Sequence, residues 1–253
     1  MVKVASLRLY MPRLQSILIL FTLTLSSLKG QEVPKSLEST YSSMQNGYVR
    51  CMVLPAIHPT NVSKTSQPFS YWYNKVDQQY GSLRATLQTA DIVIAPILAT
   101  VSPPPFSGGP LYGVPEEWFM SISSLGITHA CLSNATTLRA KLSSITSRTS
   151  ILKQEGIVPV GLFDVHEQEG VHCVIQEMKG LRIAIFSFVY PFDDYNGQFG
   201  MSGFEADRFA AFYAEHADSI DCWIAIPYWK NAQYGVVSNA DQIALLKSLS
   251  KAG

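Results

Sequence analysis

The sequence predicts an α/β layered domain, on three observations. Apolar runs of strand length alternate with amphipathic segments of helical period along most of the 253 residues. The runs DIVIAPIL (91–98) and DCWIAIPYW (221–229) are apolar almost throughout, as strands covered on both faces must be. One further pair of runs, VHCVIQEM and LRIAIFSFVY, is separated only by Lys179-Gly180, the length and chemistry of a tight hairpin turn.

The elements follow in order. Arg8 and Arg13 precede the apolar core LQSILILFTLTL, then come small polar residues and SLKGQ. A basic start, a short apolar core and a small residue at the cut describe a signal peptide over residues 1–30, cleaved near Gly30–Gln31. Its apolar run of about 15 residues falls short of the ~20 that span a bilayer. The expectation is therefore an exported protein (periplasm, cell surface or medium) with no membrane span after cleavage. Residues 31–46 are polar and read as a linker, and 47–253 as the folded domain.

Within that domain, YVRCMVL (48–54) reads as a strand. Val76, Tyr80, Leu83 and Leu87 fall at helical spacing, so NKVDQQYGSLRATLQT predicts one amphipathic helix. After strand 91–98, VSPPPFSGGP reads as a loop. Pro115, two early glutamates and Gly126 punctuate a helix in PEEWFMSISSLG. A strand over 127–133 leads to a helix marked by Leu138, Leu142, Ile145 and Leu152 and closed by Gly156, then to strand 157–163. After the hairpin, FEADRFAAFYAEHA reads as a helix, 221–229 as a strand, and NADQIALLKSLSKAG as a last helix with Asn239 as N-cap and Gln242 three residues on. An alternating fold places another strand after that helix, so the domain is expected to lack its last strands.

Composition excludes some functions. Lysine plus arginine equals aspartate plus glutamate at 19 each, and no basic stripe interleaves with aromatics, so nucleic acid is not an expected partner. Cys51, Cys131, Cys173 and Cys222 sit in apolar, strand-like settings without a CxxC motif, which favours buried free thiols over zinc ligands; one disulfide is the alternative.

Residues 127–140, ITHACLSNATTLRA, end a strand on Ser133, Asn134, Thr136 and Thr137. Loops after strands are where α/β proteins keep their chemistry, yet this one holds no histidine or carboxylate. The succession TADIVIAPILATVSPP, GITHACLSNATTL, LKQEGIVPVGLF and MKGLRIAIFSFVY resembles the CapA family, the capsule and poly-γ-glutamate biosynthesis proteins of the calcineurin-like metallophosphatase superfamily, from about Tyr48 to Gly253. The resemblance implies a metallophosphatase-like αββα sandwich, two packed sheets flanked by helices, with two divalent metal ions on the loops at one sheet edge.

The ligand motifs of that family are replaced here. Leu54-Pro55 stands where the family has Gly-Asp, and Pro96-Ile97-Leu98 where it has Asn-Leu-Glu. Asn134-Ala135-Thr136, followed by Leu138-Arg139, stands for Asn-Asn-His and a Leu-Asp. Tyr228-Trp229-Lys230 and Asn231-Ala232 stand for His-Trp-Gly and Glu-Tyr, and a final Gly-x-His-Pro-His falls beyond Gly253. Two close divalent ions need several oxygen and imidazole donors and bridging carboxylates, which a lone amide cannot supply. The former ligand positions are thus Asn134, Thr136, Tyr228 and Trp229; no catalytic residue, resident metal or other cofactor is expected.

Other candidates are weaker. Asp164, His166, Glu167, His172 and Cys173 form no standard metal-ligand spacing and read as a solvated loop entering the hairpin. Asp193-Asp194 reads as a hydrated turn rather than an acid pair, and His58 as a surface residue rather than a relic ligand. Tyr228 and Trp229 read as strand-end packing, with stacking on a glycan or peptide as the alternative. Ser133 lacks a base partner, His129 lying inside its own strand. Asn61 and Asn134 head glycosylation sequons, a frequent chance pattern. Three readings follow: an exported, non-catalytic CapA-like protein that binds a polyanionic capsule component or a cell-envelope protein; a divalent-metal-dependent hydrolase with displaced ligands; and a truncated, non-functional gene product.

Overall fold

Alternation along LRIAIFSFVY sends Ile183 and Ile185 to one side of the strand and Ala184, Phe186 and Phe188 to the other, all buried. A strand with two buried faces must lie in the middle layers of a stack. A computed structural model shows that stack for residues 5–9, 16–19, 49–59, 67–102, 113–134, 136, 137, 140–162, 173–190, 206–229, 240, 243–245 and 247.

The first sheet has the order β1 (Ala5–Leu9), β3 (Val49–Val53), β4 (Ile92–Pro96), β7 (His129–Cys131), β8 (Val158–Val160). Its strands run parallel except β1, which is antiparallel to β3. The second has the order β2 (Ser16–Ile19), β11 (Cys222–Trp229), β10 (Leu181–Tyr190), β9 (Val174–Met178). Here β2, β11 and β10 are parallel and β9 is the antiparallel arm of the hairpin. A short pair, β5 (Thr100–Val101) and β6 (Gly113–Val114), closes the ends of the loop after β4. The helices are α1 (Phe69–Tyr80), α2 (Arg84–Leu87), α3 (Glu116–Ser123), α4 (Leu142–Gln154) and α5 (Ala206–His216).

Three cores separate four layers. Val49, Cys51, Ile92, Ile94 and Cys131 of the first sheet meet Ile183, Ile185, Ile224 and Ile226 of the second. The other face of the first sheet (Met52, Val93, Ala130) takes Trp72 and Val76 of α1, Phe119 and Ile122 of α3, and Ile151 and Leu152 of α4. The outer face of the second sheet carries an aromatic layer in which Phe186 stacks on Phe209 of α5 at 4.9 Å and Phe209 meets Trp223 edge-on at 6.0 Å. The expected α/β class, two packed sheets flanked by helices, is the one observed.

Local differences have physical causes. The single helix expected over 74–89 begins five residues earlier, after extended Pro68, and breaks at Gly81 into a 3₁₀ turn (Gly81–Leu83) before α2. Past the break, Arg84 reaches the Asp77 carboxylate at 2.8 Å and the Ser124 carbonyl at 3.1 Å. The hairpin turn is as expected, with Lys179 and Gly180 both at positive φ (52° and 78°). In the last helix, positions 240, 243–245 and 247 are helical and Leu245 is buried against the second sheet's outer core, while Asn239 and Gln242 lie outside the described residues. The edge strands β1 and β2 both fall inside the stretch expected as a signal peptide; its removal would make β3 and β11 the edges and leave the other ladders unchanged. The linker 31–46 lies outside the described residues. Among those described, no helix is long and apolar enough to cross a membrane.

Candidate functional site

Parallel strands β3, β4 and β7 end on one edge of the first sheet, so the segments that follow them meet there. The chain after β3 keeps the ladder going. Leu54 N–H donates to the Ile94 carbonyl (2.8 Å), Ile57 N–H to Pro96 (2.7 Å), and Leu98 N–H back to Ile57 (2.8 Å). Leu54, Ile57 and Ile97 are fully buried, so an apolar filling occupies the edge where the resemblance places carboxylate ligands.

The segment after β7 is buried and closed on itself. Asn134 Nδ2 donates to the Ile97 carbonyl at 3.0 Å, and Asn134 Oδ1 accepts from the Thr136 and Thr137 N–H groups at 3.0 and 3.2 Å. Asn134 thus joins two loops and caps the helical turn at 136–137. Ser133 Oγ lies against the Gly161 carbonyl (2.6 Å) and the Ser187 carbonyl (3.0 Å), tying the loop to β8's exit and to the second sheet. Thr137 Oγ1 donates to the Leu132 carbonyl and accepts from Arg148 Nη2 at 2.7 Å. Ser133 is therefore a structural tie between the two sheets.

Two residues that matter here escaped sequence reasoning. Arg148 occupies the core-facing line of α4 between Ile145 and Leu152; a charged residue on an apolar helical stripe was the available signal. Gly161 has φ +87°, and a Cβ there would overlap Ser133 Oγ and come within 2.6 Å of the Ser187 carbonyl. An isolated glycine in the apolar run VPVGLF is the mark of such close backbone approach.

The remaining candidates are scattered. Tyr228 is half-buried on β11 and pairs with Val189, two residues beyond the Ser187–Ile226 pair; Trp229 pairs with Tyr190. His58 is held through its backbone, its N–H reaching Tyr80 Oη at 3.4 Å. Asp164, His166, Glu167, His172, Asp193, Asp194, Arg139 and the Asn61 sequon lie outside the described residues. Cys51, Cys131 and Cys222 are buried free thiols and Cys173 is half-buried. Burial pushes the Cys51 and Cys131 thiols up to about 12, which removes them as nucleophiles at neutral pH. His129 is buried with Nδ1 2.8 Å from Thr128 Oγ1. That hydroxyl also accepts the Val93 N–H at 2.8 Å, which ties the imidazole to the β4 backbone. Burial pushes its pKa down to about 4, against a smaller opposing effect of Gln176.

The donor set does not fit a pair of divalent ions. The one amide in place, Asn134, has both ends engaged by backbone, the neighbouring hydroxyls are neutral, and the Arg148 guanidinium adds a positive charge that repels cations. Among the described residues no three His, Cys, Asp or Glu side chains gather as a metal site.

The framework is two packed sheets flanked by helices, with the turn at Lys179-Gly180 joining β9 to β10. A family model described as bacterial capsule synthesis protein PGA_cap matches residues 40–253. No curated protein matches the chain. Since that match spans the whole framework from β3 onward, the chain belongs to the bacterial capsule synthesis protein family PGA_cap.

Proposed function

We propose that this chain is an exported, non-catalytic member of its family that serves capsule synthesis by binding, its partner a polyanionic capsule component or a protein of the cell envelope. The observation that carries the reading is Asn134: its amide is consumed by the Ile97 carbonyl and by two backbone N–H groups, so it has no lone pair free for a metal. Without metal there is no Lewis acid to activate water or stabilise a charged transition state. The basic, apolar and small-residue succession at the N-terminus supports export.

The test is thermal unfolding of the full chain with and without millimolar manganese, calcium or zinc. A ligand that binds only the folded state raises the midpoint. The expected result is a cooperative transition indifferent to all three. A midpoint raised by one metal and lost in Asn134→Ala would restore the metal-dependent hydrolase. Fractionation of a bacterial host and N-terminal sequencing of the recovered protein test export; the expected new N-terminus lies near Gln31.

A further inference from the structure

Arg148 departs from the rule that buried charges are paired. Its side chain is fully buried, yet its acceptors are both neutral: Nη1 donates to the Ala99 carbonyl at 2.8 Å and Nη2 to Thr137 Oγ1 at 2.7 Å. Its Nε–H has no partner, and among the described residues no carboxylate pairs with it. Two more polar atoms in the immediate chain neighbourhood are buried without a partner, Thr100 Oγ1 next to Ala99 and Thr149 Oγ1 next to Arg148 itself. The Arg148 fork ends on the Ala99 carbonyl, one residue from Thr100, so the Nε–H and the Thr100 hydroxyl are unsatisfied donors in the same region. Burial lowers the guanidinium only to about 9, so it stays charged at neutral pH. An unpaired ion in such a place is strongly destabilising, and the group that removes the penalty is an anion able to accept from the Nε edge of the fork.

We propose that Arg148 anchors a binding site for a small oxyanion, a carboxylate or a phosphate group, at the junction of the segments after β4 and β7, with the Thr100 hydroxyl as a further donor. The recognition is charge plus a planar fork, so it selects oxyanions over chloride. The site is independent of whether the chain is catalytic, since it uses none of the former ligand positions.

The experiment is thermal unfolding of the full chain in inorganic phosphate, acetate or chloride at matched ionic strength, for the native protein, Arg148→Met and Arg148→Lys. Phosphate or acetate should raise the native midpoint above chloride by roughly 2–4 °C, with little rise in Arg148→Met and a reduced one in Arg148→Lys. A response to phosphate alone assigns a phosphate group, and one to acetate alone a carboxylate; either supports the site. Should Arg148→Met not fold, ³¹P line broadening of phosphate by the native chain, and its reduction in Arg148→Lys, gives the same decision. No oxyanion effect beyond chloride on the native chain, or an equal rise in Arg148→Met, overturns the proposal.

Discussion

Asp91 and Asp221 grip the neighbouring strand in the same way. Asp91 N–H donates to the Arg50 carbonyl at 2.9 Å while its Oδ2 accepts the Arg50 N–H at 2.8 Å. Asp221 N–H donates to the Arg182 carbonyl at 2.9 Å while its Oδ2 accepts the Arg182 N–H at 2.7 Å. Each aspartate precedes a strand, β4 or β11, and holds an arginine on its parallel partner, β3 or β10. The start of a parallel ladder leaves a backbone N–H without a strand acceptor, and a carboxylate one residue ahead supplies it. The two sheets thus use one device at equivalent ends.

The device differs in one respect, and the difference predicts unequal costs. Asp91 Oδ2 also takes the Lys179 ammonium at 2.8 Å, from the β9–β10 turn, so it bridges the sheets. Asp91→Ala should cost about 1–3 kcal/mol and Asp221→Ala, which is exposed, about 1 kcal/mol. Urea denaturation of both variants measures this. A double-mutant cycle with Lys179→Ala should give a coupling of about 0.5–1 kcal/mol at Asp91, discounted because Lys179 is 40% exposed. Equal losses at the two positions would show that the inter-sheet contact adds nothing.

Acid should destabilise the fold in two separate windows. The His129 imidazole has its folded pKa pushed down to about 4 from an ordinary 6.5, chiefly by burial. The unfolded chain therefore binds the extra proton between those values, and stability falls as pH drops through the window. At roughly 1.4 kcal/mol per unit the loss is at most about 3 kcal/mol. Burial alone would raise the Asp91 carboxyl; the Lys179 ammonium and the Arg50 N–H outweigh it and hold it below its ordinary 3.8. Its contribution is present at neutral pH and lost only below 3.8, as the carboxylate protonates. Denaturation across the pH range should show the upper slope diminished in His129→Leu; an unchanged slope would assign it to other groups.

Most of the fold was legible because period and punctuation are local properties. The alternation in LRIAIFSFVY, the Lys179-Gly180 turn and the run of β11 each carry their own signal, and the hydrophobic layers follow from them. The break of the first helix falls at Gly81, inside an apolar spacing (Val76, Tyr80, Leu83, Leu87) that runs straight through it, so the periodicity alone did not reveal it. For the site, the sequence singled out the polar loop at Ser133, Asn134, Thr136 and Thr137, but not the partners its side chains take. Ser133 reaching Ser187, and Arg148 reaching Ala99, are contacts between residues 54 and 49 positions apart, invisible to any local pattern.

Gly161 should tolerate no side chain. Its φ of +87° is strained for any L-residue, by about 1–2 kcal/mol, and a Cβ there would overlap Ser133 Oγ and crowd Ser187. Gly161→Ala should therefore cost more than the conformational term alone, about 3 kcal/mol or above. Removing the Ser133 hydroxyl in a Gly161→Ala/Ser133→Ala double variant should recover part of the loss, measured by chemical denaturation. If the double variant is merely the sum of the singles, the clash is not with Ser133.

Asn134 decides between a structural and a metal-binding loop. Asn134→Ala strands the buried Ile97 carbonyl and the Thr136 and Thr137 N–H groups, each of which loses its Asn134 partner. At about 1–3 kcal/mol for a buried group left unsatisfied, partly relieved by relaxation, the expected destabilisation is about 2–4 kcal/mol in metal-free buffer. Asn134→Asp keeps the acceptor for the two N–H groups but turns an oxygen toward the Ile97 carbonyl, so it should recover only part of the loss. A metal ligand would behave in the opposite way: Asn134→Ala would be nearly neutral without metal, and Asn134→Asp, with a stronger oxygen donor, would bind manganese more tightly. Unfolding of the three proteins in chelator and in manganese separates the two patterns, and a manganese-dependent gain in Asn134→Asp would sink the structural reading.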